Sequence, residues 1–357
     1  MKPCKGCWAV MAVVMSFLLF NIVACSDDNN NAVDGDTDIV DGDDEASELD
    51  AEQEQQSDGD LEAEENIDGD LEEIENESQV NSLRVMTYNI LCFFCDGVNY
   101  DPWEDRVDYI TDTFNRYDPD VFGTQELFGF DDLNDLLIAN PDYDAYYYIE
   151  QTSGMLPEYP DAAIFYKKER LEIVESGVYW LGENPDEPWS GFADEETAKS
   201  KGSAFPRLVA WAVFNDKLSG KEFYFSATHY DNNTPHQAWS APISLGKIQP
   251  YAEKMPIVFL GDFNSKTDTE AYTILTNGVD GEGFSLENTF DLAEEWSAAS
   301  NQDPAPEYDT TDRIDHIFVA GKANWTVKNW VVDMYVYGDL DRYPSDHFAM
   351  FADLEWK

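Results

Sequence analysis

The fold is decided by an apolar run that ends in a short polar turn, Pro256-Ile257-Val258-Phe259-Leu260-Gly261-Asp262-Phe263-Asn264. The run is rich in β-branched and aromatic residues, which predicts a buried strand. Gly261 and Asn264 are turn formers, so Asp262 is expected where the strand ends. Because α/β proteins place their functional sites at such strand ends, the stretch predicts an α/β fold with chemistry at Asp262.

The same pattern recurs throughout residues 81–357. Ten apolar runs bounded by Gly, Pro, Asn or Asp predict strands, and apolar positions at helical spacing predict helices between them. Two of the helices are expected at residues 238–253 and 270–277. Paired strands with interspersed helices indicate two packed mixed β-sheets flanked by helices.

Residues 1–24 resemble the signal peptide of a bacterial lipoprotein. Lys2 and Lys5 precede an apolar run that is shorter than the about 20 residues of a membrane-spanning helix. The segment ends in Ile22-Val23-Ala24-Cys25, which resembles the motif where the peptidase cuts before a cysteine that receives a lipid. The resemblance implies lipidation of Cys25 and an extracytoplasmic place on the outer membrane or cell surface.

Residues 25–80 are predicted to be an acidic, disordered linker between this anchor and a folded domain over residues 81–357. Residues 26–80 contain 24 Asp or Glu and neither Lys nor Arg. Such a segment has too little apolar surface to offset the entropy lost on ordering.

The folded domain is strongly acidic as well. The chain has a net charge of −53, and without the linker acids and the two signal lysines about −31 remains. Nucleic-acid-binding proteins usually have a basic footprint. The charge therefore argues against nucleic acid as the main substrate, unless a local patch or a bound metal dominates.

Two cysteines remain in the domain, Cys92 and Cys95. Outside the cytoplasm this pair could form a small disulfide, or the two thiols could be free and buried. A zinc site would need a second ligand pair, which the sequence does not offer.

Polar residues form six motifs, most of them at the ends of the strand-like runs, in the order Asn89, Gln125-Glu126, His229, Asp262 with Asn264, Asp315-His316, and Ser345-Asp346-His347. Each alone has a structural explanation, since strand-end Asn and Asp are common turn formers. The ordered set is more specific, and three of the four histidines lie in these motifs.

The ordered set resembles the endonuclease/exonuclease/phosphatase superfamily, also called deoxyribonuclease-I-like, from about Leu83 to Trp356. The resemblance implies a four-layer α/β sandwich and a metal-dependent hydrolase of phosphoesters, first of all phosphodiesters. Members include nucleases, sphingomyelinases and inositol-phosphate phosphatases, so an extracellular endonuclease acting on DNA or RNA stays an alternative. A small diester, a phospholipid head group or a phosphomonoester fits the acidity of the domain better than nucleic acid does. A non-catalytic surface binding protein is a second alternative, but every expected position is filled here.

The resemblance and the side-chain chemistry together imply a metal site. Glu126, Asn89 and Asp346 are the expected ligands, and their oxygen atoms favour Mg²⁺, with Mn²⁺ or Ca²⁺ as alternatives. The chain is expected to act as a monomer.

The catalytic roles follow in the same way. Asp262 is expected to orient or activate the attacking water, and Asn264 to hold water or phosphate. His347 resembles the catalytic histidine of the family, with Asp315 as its partner, while His229 would donate to a phosphoryl oxygen. One further residue, Arg207, could clamp the phosphate or form a surface ion pair.

Overall fold

The structure is a computed structural model that describes residues 81–149, 158–187, 206–321 and 325–357. All of them belong to one compact unit, Glu64–Lys357. The predicted signal peptide, Cys25 and the acidic linker lie outside the described residues and stay predictions. Within the described ranges, no helix is both long enough and apolar enough to cross a membrane.

The described residues form thirteen strands and five helices. In chain order the strands are β1 (Ser82–Asn89), β2 (Val121–Gln125), β3 (Tyr143–Ile149), β4 (Glu158–Lys167), β5 (Leu171–Trp180), β6 (Leu208–Asp216), β7 (Lys221–His229), β8 (Pro256–Asp262), β9 (Glu287–Asn288), β10 (Glu295–Ala299), β11 (Asp315–Gly321), β12 (Trp325–Asp333) and β13 (Ala349–Trp356). The helices are α1 (Trp103–Tyr117), α2 (Phe130–Ala139), α3 (Thr234–Ala252), α4 (Glu270–Asn277) and α5 (Thr289–Leu292).

The strands form two mixed sheets, which confirms the predicted architecture. The first sheet has the order β10-β12-β13-β1-β2-β4-β3, and the second has the order β5-β6-β7-β8-β11-β9. An apolar core fills the space between the sheets, with Val85 and Ile164 from the first sheet and Leu260 from the second. Helices α1 and α2 pack on the outer face of the first sheet, and α3 and α4 on that of the second. The result is a four-layer α/β sandwich.

The two sheets approach each other closely at Gly123 on β2. A Cβ atom at this position would lie 2.5 Å from Leu260 Cδ1 and 2.8 Å from Ala227 Cβ. Because those distances are far below van der Waals contact, only glycine fits without displacing the opposite sheet.

Some elements differ from the sequence predictions. Strands β2, β9 and β10 lie outside the ten predicted runs, because they have two to five residues and no extended apolar pattern. Helix α3 begins at Thr234 rather than at residue 238. Pro235 is compatible with the first helical turn, where a missing N–H costs no hydrogen bond.

Candidate active site

The predicted site residues meet at one end of the sandwich. Asn89 ends β1, and Asp262 ends β8 in the opposite sheet. Within the second sheet, the pairing of β7 and β11 with β8 places His229 and Asp315 directly beside Asp262. The strand topology therefore brings together side chains that are up to about 230 residues apart in the chain.

Asp262 is the centre of the cluster and is almost completely buried. Its Oδ1 accepts a hydrogen bond from the backbone N–H of Asn264 (2.8 Å). Its Oδ2 accepts from Asn89 Nδ2 (3.1 Å) and lies 3.4 Å from His229 Nε2 and 3.8 Å from His347 Nε2. One carboxylate oxygen thus faces two imidazoles and an amide, which fixes its position across both sheets.

His347 is half-buried and forms a pair with buried Asp315. Its Nδ1 donates to Asp315 Oδ2 over 2.7 Å, which leaves Nε2 directed toward Asp262. Burial lowers the pKa of His347, but the charges of Asp315 and Asp262 outweigh it and raise that pKa to about 10. The imidazole is therefore held in its protonated form, with a donor aimed at the centre of the site.

His229 forms a second pair, with a residue that the sequence analysis missed. Asp161 at the start of β4 accepts a hydrogen bond from His229 Nδ1 (2.9 Å) through Oδ1, and its Oδ2 pairs with Arg207 Nη1 (2.8 Å). Burial raises the pKa of Asp161, but the charges of His229 and Arg207 outweigh it, so that this pKa lies well below its usual range. Burial and Arg207 lower the pKa of His229, yet Asp161 and Asp262 bring it above its usual value.

Glu126 lies next to these pairs and is oriented from three directions. Its Oε1 accepts from Asn89 Nδ2 (3.0 Å), and its Oε2 accepts from the backbone N–H of Cys92 (3.1 Å). Its own backbone N–H donates to Asp161 Oδ1 (3.2 Å). Cys92 and Cys95 form a disulfide, so the turn whose N–H binds the Glu126 carboxylate is crosslinked. The two sulfur atoms are therefore not available to a metal.

Two site residues have left-handed backbone conformations. Glu126 has φ 69° and Asn264 has φ 49°. The left-handed region costs a residue such as glutamate on the order of 1–3 kcal/mol, and such outliers cluster at functional sites. The surrounding hydrogen bonds at Asp161 and Asp262 hold both turns in place.

Glu126 and Asp346 are the carboxylates expected to hold a divalent cation, and this role stays a prediction. Asp346 stands at the exposed rim, and Ser345 between it and the core donates through Oγ to the Asn89 carbonyl (2.7 Å). Desolvation raises the pKa of Asp346, His347 lowers it and the negative charge of Glu126 raises it again, with a net upward shift. Two like charges held close together are stabilised by a cation between them.

Asn89 has its amide nitrogen, not its oxygen, toward the carboxylates. Its Oδ1 accepts from the backbone N–H of Leu91 (3.1 Å), and this donor fixes the orientation of the amide. As placed, Asn89 joins Glu126 to Asp262, and its role as a direct metal ligand stays a prediction.

Two other predicted roles are also qualified by the contacts. Asn264 Nδ2 donates to the Tyr230 carbonyl (3.0 Å), so its side chain supports the turn after Asp262. Arg207 is paired with Asp161, so its contact with the site runs through that carboxylate. Binding of phosphate by either residue stays a prediction.

The remaining histidines are structural. His316 Nε2 donates to the Ser265 carbonyl (2.8 Å), and burial lowers the pKa of His316 to about 4. His236 Nε2 donates to the Leu181 carbonyl (3.0 Å). Neither has a hydrogen bond to Asp262 among the described residues.

A model of the Endonuclease/Exonuclease/phosphatase family matches residues 86–347. The chain belongs to this family. An endonuclease/exonuclease/phosphatase family protein from Bacteroides thetaiotaomicron is 28% identical, with a TM-score of 0.63 over 77% of this chain and 98% of that one. A mannosyl-6-phosphatase from the same species is 28% identical, with a TM-score of 0.61 over 76% and 99%.

A more distant relative in the family is the CCR4-Not complex 3'-5'-exoribonuclease subunit Ccr4 of Mycosarcoma maydis. It is 21% identical over 359 residues, which cover 79% of this chain and 52% of that protein. The chain therefore spans about half the length of this relative. Family members are phosphoester hydrolases, among them nucleases and phosphatases, and they generally use a divalent metal.

Proposed function

We propose that the protein is an extracytoplasmic, lipid-anchored, Mg²⁺-dependent hydrolase of phosphoesters, first of all phosphodiesters. The observation that carries the proposal is the convergence of two His–Asp pairs on one carboxylate oxygen, Asp262 Oδ2. Such a centre offers two imidazole donors for phosphoryl oxygens and one acceptor for the proton of a nucleophile. The lipid at Cys25 and the acidic linker would tether this domain to the membrane, where it acts as a monomer.

Glu126 and Asp346, with Asn89 behind them, would hold the metal. The oxygen donors suit Mg²⁺, and Mn²⁺ or Ca²⁺ could replace it. When bound, the cation neutralises the negative charge of the phosphoester and so admits an anionic or polar nucleophile. Asn89 keeps the Glu126 and Asp262 carboxylates at a fixed separation through its two hydrogen bonds.

The protein residues perform the proton transfers and the orientation. Asp262 orients the attacking water and accepts its proton at Oδ2, while the backbone of Asn264 holds Oδ1. His347, kept protonated by Asp315, and His229, supported by Asp161, donate through Nε2 to phosphoryl oxygens as negative charge builds.

The acidity of the domain supports a small substrate over a polymeric one. With a net charge of about −31, the domain repels a polyanion at long range. Relatives act on different phosphoesters, since one is named a mannosyl-6-phosphatase and another an exoribonuclease subunit. A non-catalytic binding role is disfavoured because each proposed catalytic position has its chemically competent residue.

The test is hydrolysis by the purified whole chain of bis-p-nitrophenyl phosphate, with p-nitrophenyl phosphate in parallel. We expect turnover with Mg²⁺, Mn²⁺ or Ca²⁺, loss of turnover in EDTA, and a loss of at least ~10²-fold in His347→Ala. Trp296→Ala changes an exposed residue on β10 and serves as the matched control. Absence of turnover with every metal and both esters would favour the binding protein, and a preference for the monoester would correct the diester assignment.

Asp161→Asn is expected to lower kcat by about 10- to 100-fold while leaving KM close to that of the wild type. The amide cannot stabilise protonated His229, and its nitrogen would compete for the same position. Initial rates over a range of substrate concentrations separate kcat from KM, with Asp144→Asn, at an exposed position of β3, as the control. An unchanged kcat would show that Asp161 has a structural role and no role in catalysis.

A further inference from the structure

Arg106 on α1 has a completely buried side chain. Arginine is almost never fully buried unless it is paired with an acid. In the described part of the chain Arg106 forms no ion pair with a carboxylate, and its hydrogen bonds all go to backbone carbonyls. A buried charge of this kind needs an explanation, and no step of the proposed hydrolysis uses it.

Five carbonyl oxygens surround the guanidinium, which presents its donors in a fixed planar fork. Nη1 donates to the carbonyls of Ile90 (2.7 Å), Leu91 (2.9 Å) and Pro344 (3.3 Å). Nη2 donates to the carbonyl of Cys92 (2.8 Å), and Nε donates to that of Asp101 (3.1 Å). Three of these acceptors belong to consecutive residues that directly follow the end of β1.

The carbonyls that the guanidinium binds share peptide units with N–H groups that orient the site. In a trans peptide, the C=O of one residue and the N–H of the next point in opposite directions. The N–H opposite the Ile90 carbonyl is that of Leu91, which donates to Asn89 Oδ1 (3.1 Å). The N–H opposite the Leu91 carbonyl is that of Cys92, which donates to Glu126 Oε2 (3.1 Å). The guanidinium therefore sets the direction of both donors through two rigid peptide planes.

The turn needs such a hold because Leu91 has a left-handed backbone, with φ 57°. Residues other than glycine rarely adopt this conformation, and they keep it only when the surrounding contacts fix it. The guanidinium binds the carbonyl on either side of the Leu91 α-carbon, that of Ile90 and that of Leu91 itself. It thus holds both peptide planes of the turn from the interior of the domain.

The same guanidinium reaches the second chain segment of the site. Pro344, whose carbonyl it binds, directly precedes Ser345, Asp346 and His347. Ser345 Oγ in turn donates to the Asn89 carbonyl (2.7 Å). The backbone that presents Asn89 and the backbone that presents Asp346 and His347 are therefore joined at one buried side chain.

The positive charge of Arg106 lies behind the proposed metal ligands without binding them. Burial lowers the pKa of Arg106, and the negative charges of Asp346 and Glu126 raise it in part. The charge of the guanidinium reduces the repulsion between these two carboxylates. Because its hydrogen bonds go to carbonyls, both carboxylates stay available to a divalent cation.

We infer that Arg106 is a positioning residue for the metal site. It fixes the backbone after β1, and through that backbone it orients Asn89 and Glu126 before any cation binds. The inference rests on the proposed function for the presence of a metal, and it adds a residue that touches neither the substrate nor the cation.

Arg116, ten residues later on the same helix, provides the matched control. Its Nη1 pairs with Asp333 (3.0 Å) and its Nη2 donates to Tyr337 Oη (2.8 Å), so its contacts fix α1 to the sheet. Arg106→Lys and Arg116→Lys both keep the positive charge and replace the planar fork by one nitrogen. Both are expected to lower stability, but only Arg106→Lys loosens the turn after β1.

The test measures Mn²⁺ binding to the purified whole chain by electron paramagnetic resonance, and kcat for bis-p-nitrophenyl phosphate in the same samples. In Arg106→Lys, we expect the dissociation constant for Mn²⁺ to rise by about 10- to 100-fold and kcat to fall by a similar factor, as is typical when a partner of a metal ligand is lost. Arg116→Lys should leave both values unchanged. Urea denaturation shows that the samples are folded, because a purely structural role would lower stability without changing the Mn²⁺ affinity of the folded protein.

Amide hydrogen exchange of the unaltered chain in EDTA requires neither a variant nor a metal. We expect the Leu91 and Cys92 N–H groups to exchange as slowly as those inside β1, because their peptide planes are held. This measurement decides the inference if Arg106→Lys does not fold. Exchange as fast as that of the exposed residues 96–99 would contradict it.

The outcomes separate this inference from the proposed function. Slow exchange at Leu91 and Cys92 that Arg106→Lys abolishes, in a wild type that neither binds Mn²⁺ nor turns over, would support the positioning role and overturn the hydrolase. Mn²⁺ binding and turnover that a folded Arg106→Lys leaves unchanged would do the reverse. Equal losses of Mn²⁺ affinity in Arg106→Lys and Arg116→Lys would also overturn the inference, because lowered stability would then explain both.

Discussion

Asp262→Asn is expected to lower kcat for phosphoester hydrolysis by ~10³-fold with little change in KM. General acid–base groups typically contribute 10²- to 10⁴-fold, and Asp262 is the only group that both histidine Nε2 atoms face among the described residues. Asparagine keeps the volume but offers one acceptor atom where the carboxylate offers two. Since Asn89, Asn264, His229 and His347 all present donors, the amide nitrogen would point at another donor.

The measurement is a comparison of initial rates for the wild type, Asp262→Asn and Asp339→Asn under saturating metal. Asp339 is exposed in the loop after β12, so its substitution controls for the loss of one negative charge. Thermal unfolding of the same samples shows whether the fold is retained. A kcat of Asp262→Asn within a few-fold of the wild type would show that Asp262 does not accept the proton of the attacking water.

Gly261→Ala is expected to lower the free energy of unfolding by at least about 4 kcal/mol, which is exceptional for one methyl group. Gly261 has φ +149°, a conformation that residues with a side chain rarely adopt. A Cβ atom there would lie 2.0 Å from the Thr228 carbonyl oxygen. Because the clash is with the backbone of β7, where Thr228 pairs with Gly261, no side-chain rotation relieves it.

Urea denaturation followed by circular dichroism measures this effect. The matched control is Gly246→Ala, which adds the same methyl group on the exposed side of α3, where nothing lies within 4 Å. That change should stabilise the helix by about 0.5–1 kcal/mol. Similar stabilities for the two variants would show that the β7–β8 pairing can rearrange around Gly261.

Most of the candidate site could be predicted because each residue follows or precedes an apolar run. Asp262 and His229 end strands, and His347 precedes one, so local pattern alone locates them. Asp161 also precedes an apolar run, residues 162–166, but this local pattern does not show that it faces a histidine 68 residues later. The pairing of β4 with the end of β2 brings it to Glu126, and only a prediction of strand pairing would have found it.

The fold was predicted at the level of layers and less well at the level of strands. Strand β2 was not predicted, because its five residues include a glycine, a threonine and a glutamine, and both of its faces are buried. Packing against the neighbouring sheet and helices, rather than the strand propensity of its residues, stabilises the strand in that position. The role of Asn89 also depended on tertiary contacts, because only the Leu91 N–H determines which way its amide points.

The contact between the sheets at Gly123 limits where changes in substrate selectivity can arise in such an enzyme. With Leu260 and Ala227 against the glycine, the two sheets have no spare volume between them at this position, so a larger side chain here would have to displace the opposite sheet. New selectivity must come from the loops around the rim, such as the disulfide-closed turn at Cys92–Cys95. The reaction and the choice of substrate can therefore change separately, because they depend on different parts of the chain.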